Sequence, residues 1–165
     1  MRTKATRRIR MLLSLDQPAP SFTTATDLNP TLTLDAFKGR HLILYFYPRD
    51  DTPGCTLESC GFRDAYSEIQ QHQGAVLGVS KDSIISHKKF REKYNLPFEL
   101  AADSEENLCR LYDVLQEKSM YGKKYIGIER STFLIDQHGI LRKIWRNVKV
   151  PGHIPEVLQA LKNLG

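Results

Sequence analysis

The sequence predicts an α/β domain of three layers, a mixed central sheet with helices on both faces. Three observations carry that reading. Leu42–Tyr47 and Ala75–Ser80 are near-continuous apolar runs, the pattern of strands covered on both sides. Each is followed by a stretch of helical periodicity, so two βα units feed one sheet. A hairpin and a last helix then close the chain. At 165 residues it suits one domain, large enough to bury a core without disulfide staples.

The elements follow in order. Residues 16–26 are loop-rich, and Thr31–Leu34 alternates briefly. His41 stands at a strand start before Leu42–Tyr47, Pro48 ends that strand, and Arg49-Asp50-Asp51-Thr52-Pro53-Gly54 turns the chain. From Cys55 to about Gln71 there is no proline, and Leu57, Phe62, Ala65, Tyr66 and Ile69 recur at helical spacing. After the second buried strand, Asp82 or Ser83 caps a helix reaching Tyr94. Phe98–Ala101 is a short extended piece, and Asp103 or Ser104 caps a helix to about Val114. Gly122-Lys123-Lys124 reads as a solvated loop. Thr132–Ile135 and Ile140–Trp145 form a hairpin around Gln137-His138-Gly139, and Ile154–Leu164 is the closing helix.

Charge narrows the function classes. The formal net charge is +5, but Arg2, Lys4, Arg7, Arg8 and Arg10 supply all of it, leaving 19 basic against 19 acidic residues. A basic tail over residues 1–13 on a neutral domain at 14–165 is a solvated end rather than a nucleic-acid footprint. Its apolar follow-on, Met11-Leu12-Leu13, is too short for a secretory core segment, and nothing approaches a membrane span. The expectation is a cytoplasmic protein that engages neither nucleic acid nor membrane. Three cysteines are too few, and odd in number, for a secreted disulfide framework.

Chemistry concentrates at Cys55. Parallel strands place their ligand crevice at their carboxyl ends, and Pro48–Cys55 lies at such an end. A thiol opening a helix meets unpaired N–H groups and the positive end of the dipole. These are expected to hold it below the free thiol value of about 8.5 and make it a nucleophile.

The string Tyr45-Phe46-Tyr47-Pro48-Arg49-Asp50-Asp51-Thr52-Pro53-Gly54-Cys55-Thr56-x-Glu58 closely resembles the active-site loop of peroxiredoxins, specifically the bacterioferritin comigratory protein (PrxQ) subfamily. Leu77-Gly78-Val79-Ser80, Arg130–Asp136 and Trp145–His153 extend the likeness over residues 16–164. The resemblance implies a thioredoxin-like fold and a peroxidase working without metal, haem or flavin. Its substrates would be hydrogen peroxide and organic hydroperoxides. Cys55 matches the peroxidatic cysteine, whose thiolate attacks the peroxide and becomes a sulfenic acid. Arg130 would hold thiolate and peroxide, Thr52 would orient the peroxide, Pro48 would shield the thiol, and Glu58 would orient Arg130. Cys60 completes the subfamily's Cys-x4-Cys pattern as the resolving thiol. A thioredoxin-like protein would reduce the Cys55–Cys60 disulfide, and the subfamily implies a monomer.

Helix geometry adds a condition. Five residues along an α-helix separate two Cα atoms by roughly 8.6 Å, whereas a disulfide needs about 4.4–6.8 Å. The start of the Cys55 helix is therefore expected to unwind after oxidation, with Gly61 as a weak point. Cys109, among Leu108, Leu111 and Tyr112, reads as a buried small apolar residue. Rival readings are a thiol–disulfide oxidoreductase or a redox interaction module of the same fold. The first would want Cys-x-x-Cys, which is absent, and the scattered histidines give no zinc pattern.

Overall fold

A computed structural model describes residues 13–165. The expected basic tail at 1–13 lies, but for Leu13, outside them. The chain opens with a small antiparallel pair, β1 (Thr23–Thr24) and β2 (Leu32–Thr33), and a 3₁₀ turn at Leu34–Phe37. Strand β3 (His41–Phe46) follows, then helices α1 (Pro53–Asp64) and α2 (Tyr66–Gln71). Next come β4 (Gly74–Ser80), α3 (Ile84–Tyr94), β5 (Glu99–Ala102) and the short α4 (Asn107–Leu111). A ribbon of β6 (Leu115–Met120) and β7 (Lys123–Ile128) precedes β8 (Ser131–Ile135), β9 (Leu141–Trp145) and α5 (His153–Asn163).

The main sheet has the order β5-β4-β3-β8-β9. β3, β4 and β5 run parallel, and β8 joins β3 antiparallel, which gives the expected mixed sheet. Every residue of β3 and β4 is buried, because both faces are covered. Alternation along β3 divides its side chains between two cores. Leu42, Leu44 and Phe46 meet Phe22, Phe37, Leu108 and Tyr112. Ile43, Tyr45 and Tyr47 meet Phe62, Ile69, Phe90 and Val157, residues of α1, α2, α3 and α5. The layers are thus unequal: four helices cover one face, and α4 with the β1–β2 pair covers the other.

Three expectations are corrected. The helix expected from Cys55 to Gln71 starts at Pro53 and divides at Ala65, and Leu57, counted as apolar face, is exposed. The helix expected from Asp103 or Ser104 to Val114 is only Asn107–Leu111, because Glu106 adopts a left-handed conformation (φ 65°). The Asp103 carboxylate nevertheless takes the Leu108 and Cys109 amides, at 3.0 and 2.8 Å, so it caps this late start. The expected loop at Gly122-Lys123-Lys124 is the turn and first residues of the β6–β7 ribbon. Tyr121 (φ 52°) and Gly122 (φ 76°) make a tight hairpin turn with both central residues at positive φ.

Candidate active site

Thr52 is extended (φ −99°, ψ 156°) and Pro53 takes the first helical position, where its missing N–H is no loss. Cys55 is therefore the third residue of α1 and lies in its first turn. Thr52 does not cap that turn with its side chain: its hydroxyl donates instead to the Arg49 carbonyl, at 3.0 Å. Pro48, half-buried, follows the buried Tyr47 at the carboxyl end of β3. Cys55 is only 1% exposed, which keeps bulk water from its sulfur.

The β3–β8 register brings the other half of the site to this loop. Phe46 pairs with Ser131, so Arg130, just before β8, emerges beside the chain leaving β3. Its guanidinium is a fork between two groups of α1. Nη2 donates to Cys55 Sγ at 3.4 Å and Nη1 donates to Glu58 Oε1 at 2.8 Å. Gly54 leaves the room for this: a Cβ there would stand 3.2 Å from Arg130 Nη2. Cys55 and Glu58 are three apart, so α1 presents both on one side.

Glu58 is fully buried, and loss of water pushes its carboxyl up to about 7 against the opposing pull of Arg130. Its Oε2 has no hydrogen-bond partner. His153 Nε2 stands 3.9 Å from that oxygen but is engaged by Thr132 Oγ1 at 2.8 Å. Burial and the charge of Arg130 lower His153 to about 4, so the imidazole is neutral at neutral pH. Desolvation works against the charge on Arg130, yet Glu58 and Cys55 outweigh it and raise its pKa. Lys118, in β6, feels both Arg130 and Cys55. Burial and repulsion from Arg130 lower its pKa.

Cys60 is half-buried on the same helix, with a thiol raised by burial. Helix α1 is continuous through both cysteines and both are free thiols. The intact helix holds them too far apart to bond. Gly61 has a packing reason as well as a flexible backbone: a Cβ there would meet Ile154 Cγ1 at 2.8 Å, so it lets α1 and α5 approach.

The structure thus brings Cys55, Arg130 and Glu58 into contact, leaves Cys60 on the same helix but outside that contact, and sets Pro48 and Thr52 in the loop before them. Sequence reasoning missed His153 and Thr132. Their only signals were a polar residue inside an apolar strand and a histidine opening a helix after Pro151-Gly152.

This sheet and this thiol–guanidinium–carboxylate arrangement define a redox-active thiol protein of thioredoxin-like fold. Residues 15–144 match the AhpC/TSA family, and the chain belongs to it. The match narrows further. The putative peroxiredoxin Bcp of Coxiella burnetii is 51% identical over 92% of this chain and 100% of its own. The peroxiredoxin Bcp of Bacillus subtilis is 47% identical over 93% and 98%. Among solved structures, Xanthomonas campestris peroxiredoxin Q superposes with a TM-score of 0.81 at 45% identity, covering 86% of this chain and 90% of that one. A cysteine-to-serine variant of Xylella fastidiosa PrxQ gives a TM-score of 0.83 at 39% identity, covering 92% and 98%. The chain is thus a thiol-dependent peroxidase of the Bcp/PrxQ branch, as the loop motif implies.

Proposed function

We propose that Cys55 is the peroxidatic cysteine and that Arg130 is the cation its reaction needs. The observation that carries this is the single guanidinium at 3.4 Å from Cys55 Sγ, held in place by Glu58 at 2.8 Å, in a site nearly closed to water. The thiolate attacks the distal peroxide oxygen and the O–O bond breaks. Sulfur becomes a sulfenic acid, and the departing alkoxide or hydroxide takes a proton to leave as alcohol or water. Negative charge moves onto the leaving oxygen in the transition state, where fixed donors already aimed at it are most effective. In this reading the Thr52 hydroxyl, which donates to the Arg49 carbonyl in the loop before α1, orients the peroxide, and Pro48 shields the thiol.

Cys60 then attacks the sulfenic sulfur, forming the Cys55–Cys60 disulfide and releasing water. The first turns of α1 must open for this, and a dithiol protein of thioredoxin type returns both sulfurs to thiols. Hydrogen peroxide and organic hydroperoxides are both substrates. In support, a Xanthomonas campestris relative with TM-score 0.82 and 44% identity was solved as a trapped intermediate/ligand complex in connection with its alkyl peroxide reduction activity. The working form is a cytoplasmic monomer. No helix among the described residues is long and apolar enough to cross a membrane.

The test is a single-turnover peroxide reaction with thiol counting, joined to amide exchange over residues 52–66. Wild type should lose two thiols and lose protection across the start of α1. Cys60→Ser should lose one thiol and stop. Equal protection in reduced and oxidised wild type would refute the unwinding step.

A further inference from the structure

A second buried polar cluster lies behind the catalytic loop, and the peroxide chemistry described above does not use it. Asp50, between Pro48 and Thr52, turns inward and is buried. Its Oδ1 accepts from Tyr47 Oη at 2.6 Å, and its Oδ2 accepts from Ser86 Oγ at 2.8 Å. The same Oδ2 stands 2.7 Å from Nδ1 of His87, a fully buried residue of α3. On the far side of the ring, Nε2 lies 2.9 Å from the Ala101 carbonyl of β5.

That carbonyl can only accept, so Nε2 carries the hydrogen. Nδ1 and Oδ2 must then have one proton between them. With none, two lone pairs would face each other at contact distance; with two, a pair of hydrogens would collide. The bond is therefore made whichever partner carries the proton, as imidazolium with carboxylate or as imidazole with carboxylic acid. Other groups hold the same stretch to the same neighbours. The Asp50 amide donates to Asp82 Oδ2 at 2.8 Å. Asp51, in the left-handed region at φ 55°, accepts from Lys93 Nζ and Tyr94 Oη of α3, each at 2.7 Å.

We propose that His87 is a positioning residue for peroxide reduction, pinning the Pro48–Thr52 loop to α3 and β5 through one proton shared with Asp50. The pin ends at Asp51, two residues before α1 begins at Pro53. It divides the segment into a fixed part that shapes the peroxide pocket and a part that opens when Cys60 attacks. This assignment rests on the proposed roles of Cys55, Thr52 and Cys60, and the pin itself can be read without them.

The test combines amide exchange on the reduced protein with rapid mixing against peroxide. In His87→Leu, amides 49–52 should exchange at least ~10-fold faster while β3 and β4 stay protected, and the first peroxide step should slow ~10- to 100-fold. Disulfide closure after that step should not slow. Asp50→Asn is the rescue, because its amide N–H can donate to the Nδ1 lone pair while its oxygen still accepts from Tyr47. It should behave within ~3-fold of wild type. Asp50→Ala should reproduce His87→Leu, and it carries the test if His87→Leu does not fold. Unchanged exchange at 49–52, loss of protection spread evenly over the sheet, or an Asp50→Asn variant as impaired as Asp50→Ala would each overturn the pin. Wild type that fails to consume peroxide would instead overturn the peroxidatic reading, and the exchange data would still stand.

Discussion

Cys55 and Cys109 are a natural experiment inside one chain. Each is the third residue of its helix, and each is buried, at 1% and 0% exposure. What differs is the group that answers the helix start. At α4 the Asp103 carboxylate takes the Leu108 and Cys109 amides, so a negative charge already occupies the positive end. Burial, and then Asp103, push the Cys109 thiol well above its ordinary range. At α1 no side chain caps the first turn, and a guanidinium rather than a carboxylate faces the sulfur. On the proposed reading of Cys55, position on a helix is therefore not what makes a thiol reactive. The helix end has to remain available to the sulfur, and the nearest fixed charge has to be positive.

The largest effect tests this pairing directly. Cys55→Ser should lower peroxide turnover by at least ~10³-fold, because it removes the atom proposed to attack the peroxide and become oxidised. Cys109→Ala should leave turnover within ~2-fold, since a distant packing site adds independently. A coupled peroxide-consumption assay on both variants checks the pair, and a comparable loss in Cys109→Ala would break the comparison. Next in size, Arg130→Met keeps the bulk and removes the charge. The single-turnover rate should fall ~10²-fold or more, the loss seen when a fixed donor aimed at developing charge is removed. If that rate held, the positive neighbour would not be what distinguishes Cys55.

A smaller change moves the cation without removing it. Gly54 has helical backbone, so alanine is conformationally allowed, but the new Cβ would meet Arg130 Nη2 at 3.2 Å. The guanidinium must give by a few tenths of an ångström, and Gly54→Ala should slow the peroxide step roughly 10-fold with little change in melting temperature. An unaltered rate in stopped flow would mean that the fork at Arg130 tolerates displacement.

How far the site was readable in the sequence follows from its spacing. Pro48, Thr52, Cys55 and Glu58 fall in one short stretch, where a strand end, a proline at a helix start and a thiol in its first turn point to Cys55; the roles of Pro48, Thr52 and Glu58 came through family likeness. Arg130 lies 75 residues beyond Cys55, and only the β3–β8 register brings it in; its identification came through family likeness. The β6–β7 ribbon went unread for a different reason. Most of its side chains are exposed on both faces, so no core imposes the alternation that marks a half-buried strand. The break at Ala65 has no glycine or proline to announce it. His87 and Asp50, 37 residues apart, gave no sign that one fully buried histidine would meet the catalytic loop.

Glu58 offers the smallest and most exacting test, because it concerns the place of a negative charge near the thiol proposed to react. Behind Arg130 it steers the cation; in the place Asp103 holds beside Cys109 it would oppose the thiolate. Its carboxyl sits at about 7 in the folded chain against an ordinary 4.5, chiefly through burial. Between those values the folded protein keeps a proton that the unfolded chain has lost. The contribution is fully present below 4.5 and disappears as pH rises through 7. His153 runs the other way, lowered to about 4 from 6.5, so its contribution is complete above 6.5 and lost as pH falls toward 4. Glu58→Gln keeps an acceptor for Arg130 but removes the titration, and comparison with wild type cancels His153 to first order. From pH 6.5 to 8 wild type should lose roughly 1 kcal/mol of stability relative to the glutamine variant. Denaturant curves at the two pH values measure it. Parallel changes in both proteins would mean that Glu58 is already ionised throughout, with Arg130 compensating its burial in full.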